Sequence, residues 1–128
     1  MKKLIFLSII FFVCSCNDDD RIDNDLIINY NGCVNLSDTK FTICLDSIQD
    51  SRCPTGLVCV WEGDAATYFS LDNGQNIKSI TLHTNTIFQQ DTLIDGLRIK
   101  LLDVSPYPDK NVEPDISKYK ARIEVIRE

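Results

Sequence analysis

The chain is poor in the residues that catalysis needs. It has a single histidine, His83, a single tryptophan, Trp61, and no G-x-S-x-G nucleophile elbow. One histidine cannot build a His-rich metal site. A lone histidine alternating with Ser79 and Thr81 on a strand reads as ordinary surface. The chain is also short of positive charge: 13 Lys and Arg stand against 19 Asp and Glu. An acidic chain has no electrostatic footprint for nucleic acid. Helix-period patterning is lacking too, and no apolar run reaches the ~20 residues that a membrane-spanning helix requires. A non-catalytic protein without a cofactor is expected.

The N-terminus carries the clearest signal. Met1-Lys2-Lys3 is basic, Leu4 to Val13 is apolar apart from Ser8, and small residues follow. This is the pattern of a secretory signal peptide, residues 1–15. Its end, Val13-Cys14-Ser15-Cys16, resembles a bacterial lipobox. That resemblance implies cleavage after Ser15 and acyl chains on Cys16, with the membrane as the partner that those chains enter. An ordinary signal peptide with a chance cysteine is the competing reading. Asn17-Asp18-Asp19-Asp20 resembles the acidic signal that sends some Gram-negative lipoproteins to the outer face of the outer membrane. The expected address is therefore the outer membrane, cell-surface exposed, with a periplasm-facing position as the alternative. By composition, residues 16–25 read as an acidic flexible tether and residues 26–128 as a single domain. Removing residues 1–15 removes Lys2 and Lys3, so the mature charge is 11 − 19 = −8.

Of six cysteines, Cys33, Cys44, Cys53 and Cys59 remain once Cys14 is cleaved off and Cys16 is lipidated. An even number outside the cytoplasm reads as two disulfides. The spacings do not match C-x₂₋₄-C zinc sites. Three pairings are possible. Cys33–Cys44 and Cys53–Cys59 are favoured because each closes a short loop, contributing about 2.8 and 2.4 kcal/mol in the chain-entropy model.

The rest is β-patterned. Phe41, Ile43 and Leu45 alternate against Thr42, Cys44 and Asp46, so Cys44 is expected to point away from the core. Thr67, Phe69 and Leu71 share a face, and Asp72-Asn73-Gly74 marks a turn into Ile77 to Leu82. Thr86 to Ile94 reads as a weaker strand. Asp95-Gly96 predicts a tight hairpin into Leu97 to Val104, where Leu102 and Val104 break phase and suggest a bulge. Tyr119, Ala121, Ile123 and Val125 form the cleanest alternation, and 116–119 holds a helical turn at most. About seven strands result. The fold class is all-β: a small, disulfide-stapled antiparallel β-sandwich, with a small β-barrel as the alternative.

The segment Asp50-Ser51-Arg52-Cys53-Pro54, with Cys59-Val60-Trp61-Glu62-Gly63, resembles a small uncharacterised family of bacterial secreted and lipoprotein domains that share a D-S-R-C-P…C-x-W-x-G core. Leu101-Leu102-Asp103-Val104-Ser105-Pro106-Tyr107-Pro108 and a terminal strand led by Tyr119 resemble it as well. The resemblance implies no activity. Pro54, Thr55, Gly56, Leu57, Val58 and Trp61 form the candidate binding loop. Trp61 is expected to pack as a core anchor on the disulfide, with an exposed binding platform as the alternative. Asp46, Asp50, Glu62 and Asp64 flank the loop without a D-x-D-x-D run, so capping or pairing with Arg52 is expected rather than Ca²⁺. A lipid-anchored binding module for an unidentified protein or small ligand, a protease inhibitor using the Cys53–Cys59 loop and a purely structural envelope lipoprotein remain open. The inhibitor requires an exposed Leu57; a structural loop requires Leu57 and Val58 buried.

Overall fold

The computed structural model describes residues 21–128. The signal peptide, Cys16 and Asn17 to Asp20 lie outside that range. Two four-stranded antiparallel sheets face each other and do not close into a barrel. One sheet runs β1 (Arg21–Asn29), β8 (Lys120–Arg127), β7 (Leu97–Ser105), β6 (Asp91–Ile94). The other runs β2 (Cys33–Asn35), β3 (Thr42–Asp50), β4 (Ala65–Asp72), β5 (Ile77–His83).

The core lies between the sheets. Ile43, Leu45, Phe69, Leu71 and Leu82 meet Ile28, Ile99, Val104, Ile123 and Val125 there. Two bulges correct the phase of the alternation. One, between Leu45 and Ser47, returns Ile48 to the core; the other, between Leu101 and Asp103, turns Leu102 out and Val104 in. At the Asp95-Gly96 hairpin both central residues have positive φ, 50° and 77°, the type I′ geometry whose twist suits paired strands. The helical turn is a 3-10 turn over Ile116–Lys118.

Both disulfides pair as expected, Cys33–Cys44 and Cys53–Cys59. The first joins residues directly opposite each other in β2 and β3, on the outer face, since Cys44 lies between the fully buried Ile43 and Leu45.

The eight strands agree with the expected small sandwich of about seven. Two expectations are corrected. The tether does not run to Asp25: residues from Arg21 onward already pair with β8, Arg21 opposite Ile126 and Asp23 opposite Val125. Ladder hydrogen bonds use the main chain, so a polar sequence can serve as an edge strand where a neighbour has unpaired groups; two register shifts between Arg21 and Leu26 mark the irregular pairing. The strand expected over 86–94 is confined to Asp91–Ile94. Ahead of it Asn85, itself buried, turns the chain by accepting from the Ile87 amide.

Candidate functional site

Asp50 ends β3 and Arg52 lies two residues on, so the carboxylate and guanidinium are within local reach. Arg52 Nε donates to Oδ1 of Asp50 at 2.8 Å and Nη2 to Oδ2 at 2.9 Å, a two-pronged ion pair. The remaining guanidinium donors cross to the other sheet, to the carbonyls of Val104 at 2.7 Å and Pro106 at 3.1 Å. The guanidinium also lies 4.7 Å above the centre of the Tyr107 ring. The Tyr107 hydroxyl donates to the Cys53 carbonyl at 2.9 Å, and that of Tyr119 to Oδ2 of Asp50 at 2.6 Å. The three segments quoted for the family resemblance therefore converge in one polar cluster spanning both sheets.

Burial works to raise the Asp50 carboxyl, but hydrogen bonds from Arg52 and Tyr119 outweigh it and hold the group below the usual carboxylate range. The Tyr119 hydroxyl is pushed up to about 12, by burial first and then by its bond to Asp50.

This cluster is the footing of the loop. Cys53 donates its amide to the Glu62 carbonyl at 2.9 Å, and Ser51 to that of Asp64 at 2.7 Å, so the two legs of the loop run side by side. Gly63 is required where the legs touch: its φ is 77°, and a Cβ there would stand 2.0 Å from the Ser51 carbonyl oxygen. The first leg is pinned a second time. Thr55 forms a parallel bridge with Asp109, donating to the Pro108 carbonyl at 2.9 Å and accepting from the Lys110 amide at 3.1 Å. Gly56 then turns at φ 92° beneath the Lys110 side chain.

Beyond these pins the chain stands free. Leu57 and Trp61 are about half exposed, at 53% and 51%, and Val58 and Val60 wholly so, at 103% and 106%. Among the described residues, the backbone groups of Val58, Cys59, Val60 and Trp61 make no hydrogen bond. Trp61 is thus not a core anchor. The paired legs hold it outside the core cluster, with half of its surface open to solvent. An exposed Leu57 and Val58 also remove the condition that a purely structural loop requires.

The candidate loop residues divide. Leu57, Val58 and Trp61 project, whereas Pro54 belongs to a cleft of about 500 Å³ beside the loop, lined also by Pro106, Pro108, Pro114, Tyr107 and Tyr119. All four prolines of the chain line this wall. With fixed φ and no N–H, they stiffen the segment that pins Thr55.

Three of the four carboxylates near the loop, those of Asp46, Asp50 and Asp64, go to separate partners, and Glu62 enters through its main chain. Asp50 binds Arg52 and Tyr119, Asp46 accepts from Ser70, and Glu62 contributes its backbone carbonyl to the legs. Asp64 lies 2.7 Å from Nδ1 of His83 and accepts the Asn85 amide at 3.0 Å. His83 is consequently not a solvent-facing strand residue: its ring leans on Phe88, centroids 5.0 Å apart, while Asp64 holds its nitrogen. Among the described residues, no group of three or more His, Cys, Asp or Glu could hold a metal ion.

Sequence reasoning missed Val60, the most exposed apolar residue of the loop, although it counted Trp61 next to it. It also missed Tyr107 and Tyr119 as footings; their place in the segments quoted for the resemblance was the available signal. Comparisons with family models, with curated proteins and with solved structures find no match.

Proposed function

We propose that this chain is a lipoprotein, held to the outer membrane by acyl chains on Cys16, that acts as a non-catalytic binding module and meets a protein partner with residues 57–61. One observation carries the reading: four large apolar side chains stand exposed on a loop closed by a disulfide and braced at both legs. Exposed apolar residues grouped on a rigid support mark interaction sites, and prior ordering lowers the entropy cost of binding.

Topology supports the same reading. The chain enters the domain at Arg21, beside Ile126 near the end of β8, while the loop is footed where β7 ends and β8 begins, at Ser105 opposite Lys120. Six strand residues separate those ends, about 20 Å. A domain anchored through Cys16 thus presents the loop away from its own membrane. The mature charge of −8 also repels anionic lipid, so a protein suits the loop better than a bilayer.

The test is a photo-crosslinking residue at Val58 of the full-length lipoprotein in native envelopes. A discrete adduct that Trp61→Ala weakens supports the reading. No adduct at Val58, with an equal yield from a crosslinker on the outer face of β5, rejects it.

A further inference from the structure

Resting on the binding loop just proposed, we propose that its partner is a serine peptidase of the elastase type, and that Val60 is the side chain entering the peptidase's primary specificity pocket. Peptidases hold a bound segment by main-chain pairing, with side chains entering pockets in alternation. Such a guest needs free backbone groups, exposed side chains and a fixed shape. Residues 58–61 have free backbone groups, and the two valines are fully exposed. Between Gly56 and Gly63, no residue has a positive φ. The chain bends at Val60 and Trp61, which places Val60 at the turn.

Val60 is favoured over Val58 by its bracing. It directly follows Cys59, fixed by its bond to Cys53, and precedes Glu62 by two residues, whose carbonyl is held by the Cys53 amide. Val58 has the disulfide on one side and only the Pro54–Leu57 turn on the other.

The pocket class follows from the side chains. Residues 53–61 carry no charge, so they offer nothing to the carboxylate at the base of a trypsin-type pocket. A β-branched valine fits a small aliphatic pocket and leaves a deep aromatic one underfilled.

The same bracing explains why such a guest would inhibit and not be consumed. Hydrolysis of the Val60–Trp61 bond adds one water, leaving a carboxylate on Val60 and an ammonium on Trp61. Both new ends stay tied to one residue, Cys53: the first covalently through Cys59, the second through the Cys53–Glu62 hydrogen bond. Held together, they rejoin faster than they part.

The experiment titrates full-length lipoprotein, purified in detergent, against pancreatic elastase, chymotrypsin and trypsin, alongside Val60→Lys and Val60→Gly. Elastase should be inhibited at least about 30-fold more strongly than the other two. Val60→Lys should transfer inhibition to trypsin. Val60→Gly should lose it while the protein still melts cooperatively within a few degrees of wild type, because Val60 is fully exposed and only the added chain entropy of glycine opposes folding. Three results overturn the proposal: no inhibition of elastase together with Val60→Lys inert toward trypsin, inhibition that Val60→Gly leaves intact, or rapid turnover of the loop as a substrate. If a crosslinker at Val58 still captures a discrete partner in envelopes while inhibition fails, the peptidase assignment falls and the binding module stands.

Discussion

The hydroxyl of Tyr119, at the entrance to β8, lies 2.6 Å from the carboxylate of Asp50, at the end of β3, and so bridges the two sheets beneath the binding loop. Arg52 completes the bridge from the same carboxylate to the carbonyls of Val104 and Pro106. Loop and sandwich therefore share one footing.

Removing that carboxylate should be costly. Asp50→Asn leaves the Arg52 charge enclosed without its partner, and breaking a buried pair from one side costs about 3–5 kcal/mol. Urea denaturation of the variant against wild type measures it, and a loss under about 1 kcal/mol rejects the footing. Tyr119→Phe, which removes one hydrogen bond to a charged group, should cost about 1.5–3 kcal/mol.

The same two groups set opposite ends of the stability profile. The Asp50 pKa is lowered on folding, so its contribution is present above the unfolded value and is lost as pH falls through the folded one. The Tyr119 pKa is raised to about 12, so its contribution is intact below the unfolded value of about 10 and is lost as pH rises from there toward 12. Stability measured across both limbs should fall at each end. Asp50→Asn should flatten the acid limb and Tyr119→Phe the alkaline one; variant profiles parallel to wild type contradict the assignment.

Trp61→Ala should cost clearly less than the ~3–5 kcal/mol of a buried aromatic, since the indole lies outside the core cluster and is half exposed. The Cys53→Ser, Cys59→Ser double variant should lose about 2.4 kcal/mol in the entropy model. A loss of that full size in the melt of the first, or none in that of the second, is the contrary result.

Gly63 and Gly74 share a left-handed φ but not their surroundings. An alanine Cβ at 63 meets the Ser51 carbonyl at 2.0 Å, whereas one at 74 meets nothing within 4 Å. Gly74→Ala should cost about 1–2 kcal/mol, the backbone term alone. Gly63→Ala should cost clearly more and should release the loop legs, seen as faster exchange of the Cys53 and Ser51 amides. Equal losses at the two sites contradict this difference.

Cys16→Ala should move the protein from the membrane pellet to the soluble fraction and abolish acyl labelling. Continued sedimentation with lipid attached sinks the anchoring proposal.

Much of the architecture was legible because strands announce themselves locally. Alternation along Tyr119 to Val125 and Thr67 to Leu71, the Asp95-Gly96 turn and the phase break at Leu102 are all short-range features. Each survived folding because the core needed the same faces the alternation marked. Cysteine parity and loop length likewise led to the two bridges that the structure contains. The burial of Trp61, the orientation of His83 and the start of β1 are a different matter, because none of them is a property of its own segment. Whether an indole is covered depends on what the fold sets against it, and the paired legs leave Trp61 outside the core cluster and half exposed. The environment of His83 depends on Asp64, which precedes it by 19 residues and reaches it only once β4 and β5 pair. A polar run such as Arg21 to Asp25 becomes a strand only because β8 has an edge left to satisfy. Hydrophobic periodicity records which face a residue offers; what meets that face was decided by the packing of the sheets.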